Sequence, residues 1–424
     1  MARSPVELIA PKYLSRFECI GAECEENCCK GWRVDVDRPH YKKLKVLMDD
    51  SPADRARFRA AHERNGGAAT DQAWAHLKLH SDGSCPMLEA DGLCVTHRRF
   101  GQEALSNACS IYPRSASLVG DQVEITASMS CPEVARKALL QEDALELMVM
   151  PSDSYQRPHF LNAVPVAPAT AWERHLDDVR AFVLRLLSQR RFPMSTRLFF
   201  VARFAHRAAG FVHKADDAAA MASLVQSMAE LDSDEALLAW HTHVAPVAPP
   251  LTLAARLIMQ VLKARLEDTP ANSFRQLVID VLRSYAGPLS DDGQVDLDPS
   301  TVWETYRARR DALIAHHPRI DLVVENYCKN HWLRDWYTRS ADLASHQRRL
   351  LVRVAVLRFL LHSHPRLAEA STVDAATVDA VAVEVFYKFS RGVEHAAPFL
   401  TRIAEILDAE GPRSLAQDIF LLKL

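Results

Sequence analysis

The sequence predicts a mainly α protein, in which a loop-rich N-terminal cysteine module with room for short strands precedes an all-helical domain. Three observations point there. Eight of the nine cysteines fall between residues 19 and 131. Over the first 150 residues, apolar stretches are short and broken by turn residues, as in Asp82-Gly83-Ser84 and Asp91-Gly92. From about residue 171 onward, apolar side chains recur at helical spacing.

Taken in order, residues 1–150 read as the cysteine module, with a strand or hairpin expected over Gln122–Ser128, where apolar and polar residues alternate after Gly120-Asp121. Residues 151–170 carry four prolines among Ser, Asp and Ala and read as a linker. Residues 171–424 form the helical domain. Within it Leu176, Val179, Val183 and Leu186 make one apolar stripe, and Leu350, Val354, Leu357 and Leu361 another. Ser273 with Gln276 reads as a capping box that starts a further helix. Breaks at Pro246–Pro250 and Ser290–Pro299 separate helical groups.

Composition narrows the function classes. With 48% hydrophobic and 25% charged residues the chain is of ordinary globular type, long enough for large buried cores. Its 51 basic and 54 acidic residues leave a net charge of -3, which makes no electrostatic case for nucleic acid or an anionic membrane. The N-terminus has no apolar signal region, and no run approaches the roughly 18 apolar residues of a membrane span. A cytoplasmic location is therefore expected, where a cysteine cluster more often holds metal than disulfides.

The cysteines themselves are the chemical signal. Cys19, Cys24, Cys28 and Cys29 crowd into one stretch, and Cys85, Cys94, Cys109 and Cys131 follow in segments that also hold Pro, Gly or His. No CxxC knuckle is present, which counts against a zinc ribbon. The Cys-Pro pairs at Cys85 and Cys131 favour an iron–sulfur cluster, [4Fe-4S] first, with zinc as the alternative. Four thiolates suffice for one such cluster, so a subset of the eight is expected to ligate. Adjacent Cys28 and Cys29 are expected to project apart. The radical-SAM spacing is incomplete, because Gly31 stands where its last cysteine would be.

This framework resembles the flagellin lysine N-methylase family, within a wider group of CxxxCxxCC-type zinc- or iron-chelating proteins. The likeness runs through Phe17-Glu18-Cys19, Glu23-Cys24, Asn27-Cys28-Cys29-Lys30-Gly31-Trp32, Ser84-Cys85-Pro86, Gly92-Leu93-Cys94, Asn107-Ala108-Cys109, Tyr112-Pro113-Arg114 and Cys131-Pro132. It is specific over about the first 135 residues. The resemblance implies a protein-lysine N-methyltransferase that moves a methyl group from S-adenosylmethionine to lysines of flagellin and carries an iron–sulfur cluster. A Rossmann-type cofactor site is not expected, since the chain contains no GxG.

Lysine methylation needs a neutral amine, so a proton acceptor is required. The densest polar and aromatic run in the helical half is Glu325-Asn326-Tyr327, followed by His331, Trp332, Trp336 and Tyr337. Tyr327 and Glu325 are the candidate catalytic pair, with Asn326 and Arg114 as candidate cofactor contacts. The competing reading of this run is an amphipathic helix with aromatic core contacts. His97 is a candidate ligand or donor near the metal. His241 and His243 read as exposed helix-end residues, Asp35 and Asp37 as a solvated strand face, and Cys328 as a small buried hydrophobe. The alternative function is a non-catalytic metal-binding scaffold whose helical domain binds a protein partner.

Overall fold

The computed structural model describes residues 7–119, 122–151, 162–163, 175–209, 218–248, 272–285, 298–337, 340–394 and 414–423. The chain divides into two compact units. One comprises Met1–Val134 with Leu147–Val164, and the other Ala135–Glu146 with Pro165–Leu424. The predicted linker at 151–170 lies almost wholly outside the described residues. The boundary expected near residue 150 differs from the observed division, because 135–146 belong with the helices.

The first unit holds every described strand. Its main sheet has the order β7-β1-β6-β5-β8, built from β1 (Glu7–Pro11), β5 (Arg114–Val119), β6 (Gln122–Ala127), β7 (Leu147–Met150) and β8 (Asn162–Ala163). The strand expected after residue 121 is therefore present, paired antiparallel to β5 from Arg114↔Ala127 to Val119↔Gln122. On its other side β6 runs parallel to β1, and β1 pairs antiparallel with β7. A short helix α1 (Lys12–Ser15) follows β1 and buries Tyr13, whose phenol oxygen accepts a hydrogen bond from Ala127 N at 2.7 Å.

A second sheet, β2-β4-β3, joins Asp35–Val36, Ala75–Leu77 and His62–Arg64. Helices α2 (Arg38–Leu47) and α3 (Pro52–Ala61) accompany it, and both start at capping residues followed by proline in the first turn. The cap of α2 is Asp37, which is buried rather than solvated. Its carboxylate accepts from His40 N at 3.1 Å and Asn107 N at 3.0 Å and lies 2.6 Å from His40 Nδ1. An alternating D-x-D signal cannot distinguish a strand face from such a cap, since both place polar side chains two residues apart.

The second unit is helical throughout its described residues. Its helices are the C-terminal part of α6 (Pro132–Leu139), then α7 (Leu176–Leu187), α8 (Met194–Arg207), α9 (Ala218–Ala229), α10 (Asp234–Val244), α11 (Ser273–Arg283), α12 (Pro299–His316), α13 (Ile320–Arg334), α14 (Leu343–His362), α15 (Ala375–Phe389) and α16 (Leu415–Leu422). The mainly α class is observed, with the strands confined to the first unit. In α7 the stripe Leu176, Val179, Val183 and Leu186 is buried as its spacing predicts.

Helices α8 and α14 form the centre, packed against each other and both against α16. The predicted stripe of α14 is buried, and so is the rest of the helix apart from Ala344, Ser345 and Arg349, with Arg353 and Arg358 among the buried residues. A helix covered on all sides needs its polar residues satisfied internally. Arg358 does this by donating to Leu422 O at 2.9 Å. At α11 the cap is Asn272, whose side chain accepts from Arg275 N at 2.9 Å. Ser273 is already the first helical residue, and Gln276 donates to Asp280 instead of reaching back.

Candidate metal centre and the helical core

Short, polar, glycine-punctuated segments bring the cysteines of the first unit together. Asn27 is the first fastener: its side-chain oxygen accepts from Cys29 N at 2.8 Å, while its amide nitrogen donates to Gly92 O at 2.5 Å. That ties the 24–29 loop to the turn before Cys94. The backbone then pairs Cys85 N with Cys29 O at 2.9 Å and Gly31 N with Gly83 O at 3.0 Å. Gly31 takes φ +80 here, a conformation that favours glycine. Cys94 caps helix α4 (Val95–Phe100), and Ser106 caps α5 (Asn107–Ile111) by accepting from Cys109 N at 3.3 Å.

The result is a cavity of about 280 Å³ walled by Cys19, Cys28, Cys29, Cys85, Cys94 and Cys109. Trp32, His97, Tyr112 and Arg114 also line it, with apolar side chains such as Val34, Leu44 and Met87. Its volume falls just below the roughly 300–1,000 Å³ range of small-ligand pockets. Cys24 and Cys131 stand outside that lining, although each feels the charge of Cys19.

All nine cysteines are free of disulfides. Among the described residues, no three Cys, His, Asp or Glu side chains converge to hold a single metal ion. The sulfurs are instead spread over the cavity wall and interact with one another.

Cys29 sits between Cys28 and Cys94 and hydrogen-bonds with both, which drives its own thiol pKa up and pulls that of Cys94 down. Backbone N–H groups of His97 and Thr96 add to the stabilisation of a Cys94 thiolate. Cys28 and Cys29 thus meet through their thiols rather than projecting apart. Burial pushes Cys85 to about 11 and Cys109 to about 12. Arg114 is half-buried, with its guanidinium 5.1 Å from the Phe17 ring centre and its pKa lowered by desolvation against the opposing charges of Cys131 and Cys19.

Glu325, Asn326 and Tyr327 lie on α13 in the core of the helical unit. Glu325 is fully buried, and its carboxylate receives Arg197 Nη1 at 2.5 Å, Lys329 Nζ at 2.6 Å and Arg190 Nε at 3.1 Å. Burial would raise its pKa, but the hydrogen bonds from Arg190 and Lys329 and the charge of Arg197 outweigh it and hold the acid below its ordinary value. A carboxylate so held is a structural counter-ion, not a proton acceptor. Asn326 donates its amide to Leu139 O at 3.1 Å and Gln141 O at 2.8 Å, which fastens the 135–146 segment to α13 and leaves no donor for a cofactor. Tyr327 packs its ring on Phe386, with centroids 5.3 Å apart. This triplet therefore lies in the core, with the aromatic contacts that the competing reading expected, but α13 is buried on nearly all its faces and is not amphipathic.

Other candidates also find their places. His97 lines the cavity. His241 is half-buried rather than exposed, with Nδ1 3.0 Å from Thr196 Oγ1 and its ring against Phe192. Cys328 is buried with its pKa raised by desolvation, as a small hydrophobe would be. Sequence reasoning did not single out the stacked pair His331 and His346, with ring centroids 4.9 Å apart and His331 Nδ1 2.9 Å from Asp335 Oδ2. The i, i+4 spacing of His331 and Asp335 on α13 was its available signal.

A helical unit without strands among its described residues, joined to a cysteine-walled cavity, lies outside the sheet-based dinucleotide folds. The family described as FliB lysine N-methylase C-terminal domain matches residues 180–421, and the chain belongs to that family. It is similar to the lysine-N-methylase of Salmonella typhimurium, 28% identical over 257 residues, which are 60% of each chain. The corresponding protein of Salmonella choleraesuis is 27% identical over the same proportions. The flagellar biosynthetic protein FliU of Salmonella muenchen is 32% identical over 145 residues, 34% of this chain and 82% of that one. The chain thus spans 60% of the length of the two lysine-N-methylases. No solved structure matches. Among the described residues, no helix is long and apolar enough to cross a membrane.

Proposed function

We propose that this chain is a protein-lysine N-methyltransferase acting on flagellin with S-adenosylmethionine as methyl donor, and that its cysteine cavity holds an iron–sulfur cluster. The observation that carries the methylase reading is the match of residues 180–421 to the lysine N-methylase family. The relative named for flagellar biosynthesis supports flagellin as substrate.

The donor set fits a cluster better than a lone zinc ion. Six cysteines line the gap without converging on one point, and a multinuclear group presents several irons to donors spread in that way. Cys28, Cys29, Cys85, Cys94 and Cys109, with Cys19 at the rim, would hold it. Cys24 and Cys131 are left as neighbours. When bound, a cluster with four protein thiolates is closed and structural, whereas one with three leaves an iron open to a ligand.

In the reaction the ε-nitrogen lone pair attacks the sulfonium methyl carbon. The N–C bond forms, the C–S bond breaks with its electron pair going to sulfur, and the alkylated ammonium sheds a proton. A free lysine is neutral in roughly under one part per thousand at pH 7, so the site must desolvate the ammonium or accept its proton. The apolar wall of Val34, Leu44 and Met87 supplies desolvation. Arg114, at the same wall, would take the cofactor carboxylate as a bidentate partner.

The test is anaerobic purification with iron and sulfide analysis, then mass spectrometry of flagellin after incubation with S-adenosylmethionine. Iron, sulfide and methylated lysines are expected. A cluster-loaded chain that leaves flagellin unmodified and binds no cofactor would instead establish the non-catalytic scaffold.

A further inference from the structure

Two motif residues have no part in ligating metal yet meet at the cavity. Trp32 comes from Lys30-Gly31-Trp32 and Tyr112 from Tyr112-Pro113-Arg114, and their ring centroids lie 5.7 Å apart with planes tilted by 34°. Both line the cavity and both are half-buried, whereas Cys85 and Met87 on the same lining are buried. The aromatic pair therefore stands at the rim, next to the exposed Cys19 and Cys28. The indole N–H donates to Cys28 O at 2.7 Å, and the phenol hydroxyl lies 3.1 Å from Ser130 Oγ. With each ring's polar atom engaged, what the pair offers a ligand is its π surface.

The electrostatics of this rim select the sign of that ligand. The loop leading into Cys28 carries Glu18, Glu23, Glu25 and Glu26, three of them exposed, and these outnumber the exposed Lys30 and Arg33 on either side of Trp32, of which Arg33 is ion-paired with Asp35. The cavity behind it is walled by thiols that become anionic on ligation. Aromatic faces carry negative quadrupole density, and together with carboxylates they attract a cation. Among the described residues, the one Arg or Lys on the lining, Arg114, lies over Phe17.

We infer that Trp32 and Tyr112 form the wall against which an aliphatic cation is held at the rim of the cysteine cavity, and that this cation is the side chain of the substrate lysine. The inference rests on the methylase reading for the identity of the lysine but not for the binding chemistry. The rings grip the lysine stem and ammonium at the rim, and the apolar lining strips water from the amine as it moves inward.

The probe is Nα-acetyl-trimethyl-lysine amide, a permanent cation, against its neutral tert-butyl isostere. Each is titrated into the full chain while the indole N–H resonances of ¹⁵N-labelled tryptophan are followed. The cation is expected to bind about threefold to thirtyfold more tightly than the isostere. Trp32→Leu should abolish that preference, and Trp32→Phe, which keeps a ring, should restore most of it. Equal affinity for the two probes, or a preference that survives Trp32→Leu, overturns the inference.

Saturating S-adenosylmethionine separates the two sources of cation. Simultaneous binding of probe and cofactor supports the lysine assignment, and competitive displacement overturns it in favour of the sulfonium. A wild-type chain that shows the cation preference yet methylates nothing sinks the methylase reading while leaving the aromatic wall intact.

Discussion

Replacing Glu325 by glutamine removes the one charge that three cations share inside the helical unit. Arg197 is the partner that suffers most. Its side chain is 3% exposed, and besides Glu325 Oε2 at 2.5 Å it has Leu187 O at 2.9 Å and a distant Asp321 at 3.8 Å. An uncompensated buried charge of this kind costs about 3–5 kcal/mol. Arg190 adds little, because it is 41% exposed and keeps Glu142 at 3.0 Å, a pair of the kind worth under about 1 kcal/mol.

One kcal/mol shifts the melting temperature by roughly 2–4 °C in domains of 150–250 residues, so the helical unit should melt roughly 6 °C or more below wild type. Thermal denaturation followed by circular dichroism measures it. Replacing Glu325 by leucine together with Arg197 by methionine should recover much of the loss, since neither charge is then left alone. The lowered pKa of Glu325 adds a sign. Its contribution is present above the ordinary carboxylate pKa of 4.5 and fades as pH falls through the lower folded value, so the gap between wild type and variant should close in acid. A Glu325→Gln chain that melts within 2 °C or so of wild type refutes the counter-ion account. One that keeps its stability but loses methyl transfer returns Glu325 to catalysis.

Further outcomes are as definite. After anaerobic reconstitution, Cys85→Ser, Cys94→Ser and Cys109→Ser should each lower iron content sharply, while Cys328→Ala leaves it unchanged; equal iron in all four would remove the cavity as the metal centre. His331, His346 and His362 are buried with pKa values below the ordinary 6.5, His346 and His362 well below. Burial keeps them neutral in the fold, so the unfolded chain takes up more protons and stability should drop as pH falls below about 6.5; urea midpoints at pH 7.5 and 5.5 test this, and a midpoint that does not move is the contrary result. Gly392→Ala would place a methyl 2.7 Å from Phe274 Cγ and 2.9 Å from its Cβ, so overpacking of about 1–3 kcal/mol is expected in the same denaturation assay, against no measurable change if α11 simply yields.

What could be read in advance followed local chemistry. The stripe of α7 and the strand β6 are legible because their periodicities are written within a dozen residues, and the Cys, Asn and Gly spacing marks a separate cysteine module. Roles that depend on distant partners were not legible. Glu325 finds Arg197 128 residues away and Asn326 finds Leu139 187 residues away, so a dense polar and aromatic run reads the same whether it is a site or a core. The Asn27 side chain ties the Cys28 loop to Gly92, 65 residues on. Strand β1 escaped notice because five residues ending in proline carry little signal. Its partners β6 and β7 lie more than 100 residues later.

The division of the chain also bears on how the protein can be taken apart. The backbone passes from one unit to the other at 134/135, returns at 146/147 and leaves again at 164/165. A fragment cut at residue 150 would keep β7, which closes the edge of the main sheet, but would carry residues 135–146 without Asn326 to receive their carbonyls. A fragment covering only the family-matched 180–421 would lack the segment that Asn326 holds. Neither half is a natural cassette, and a working separation of cysteine unit from helical unit calls for supplying 135–146 to the helices as an added strand of chain.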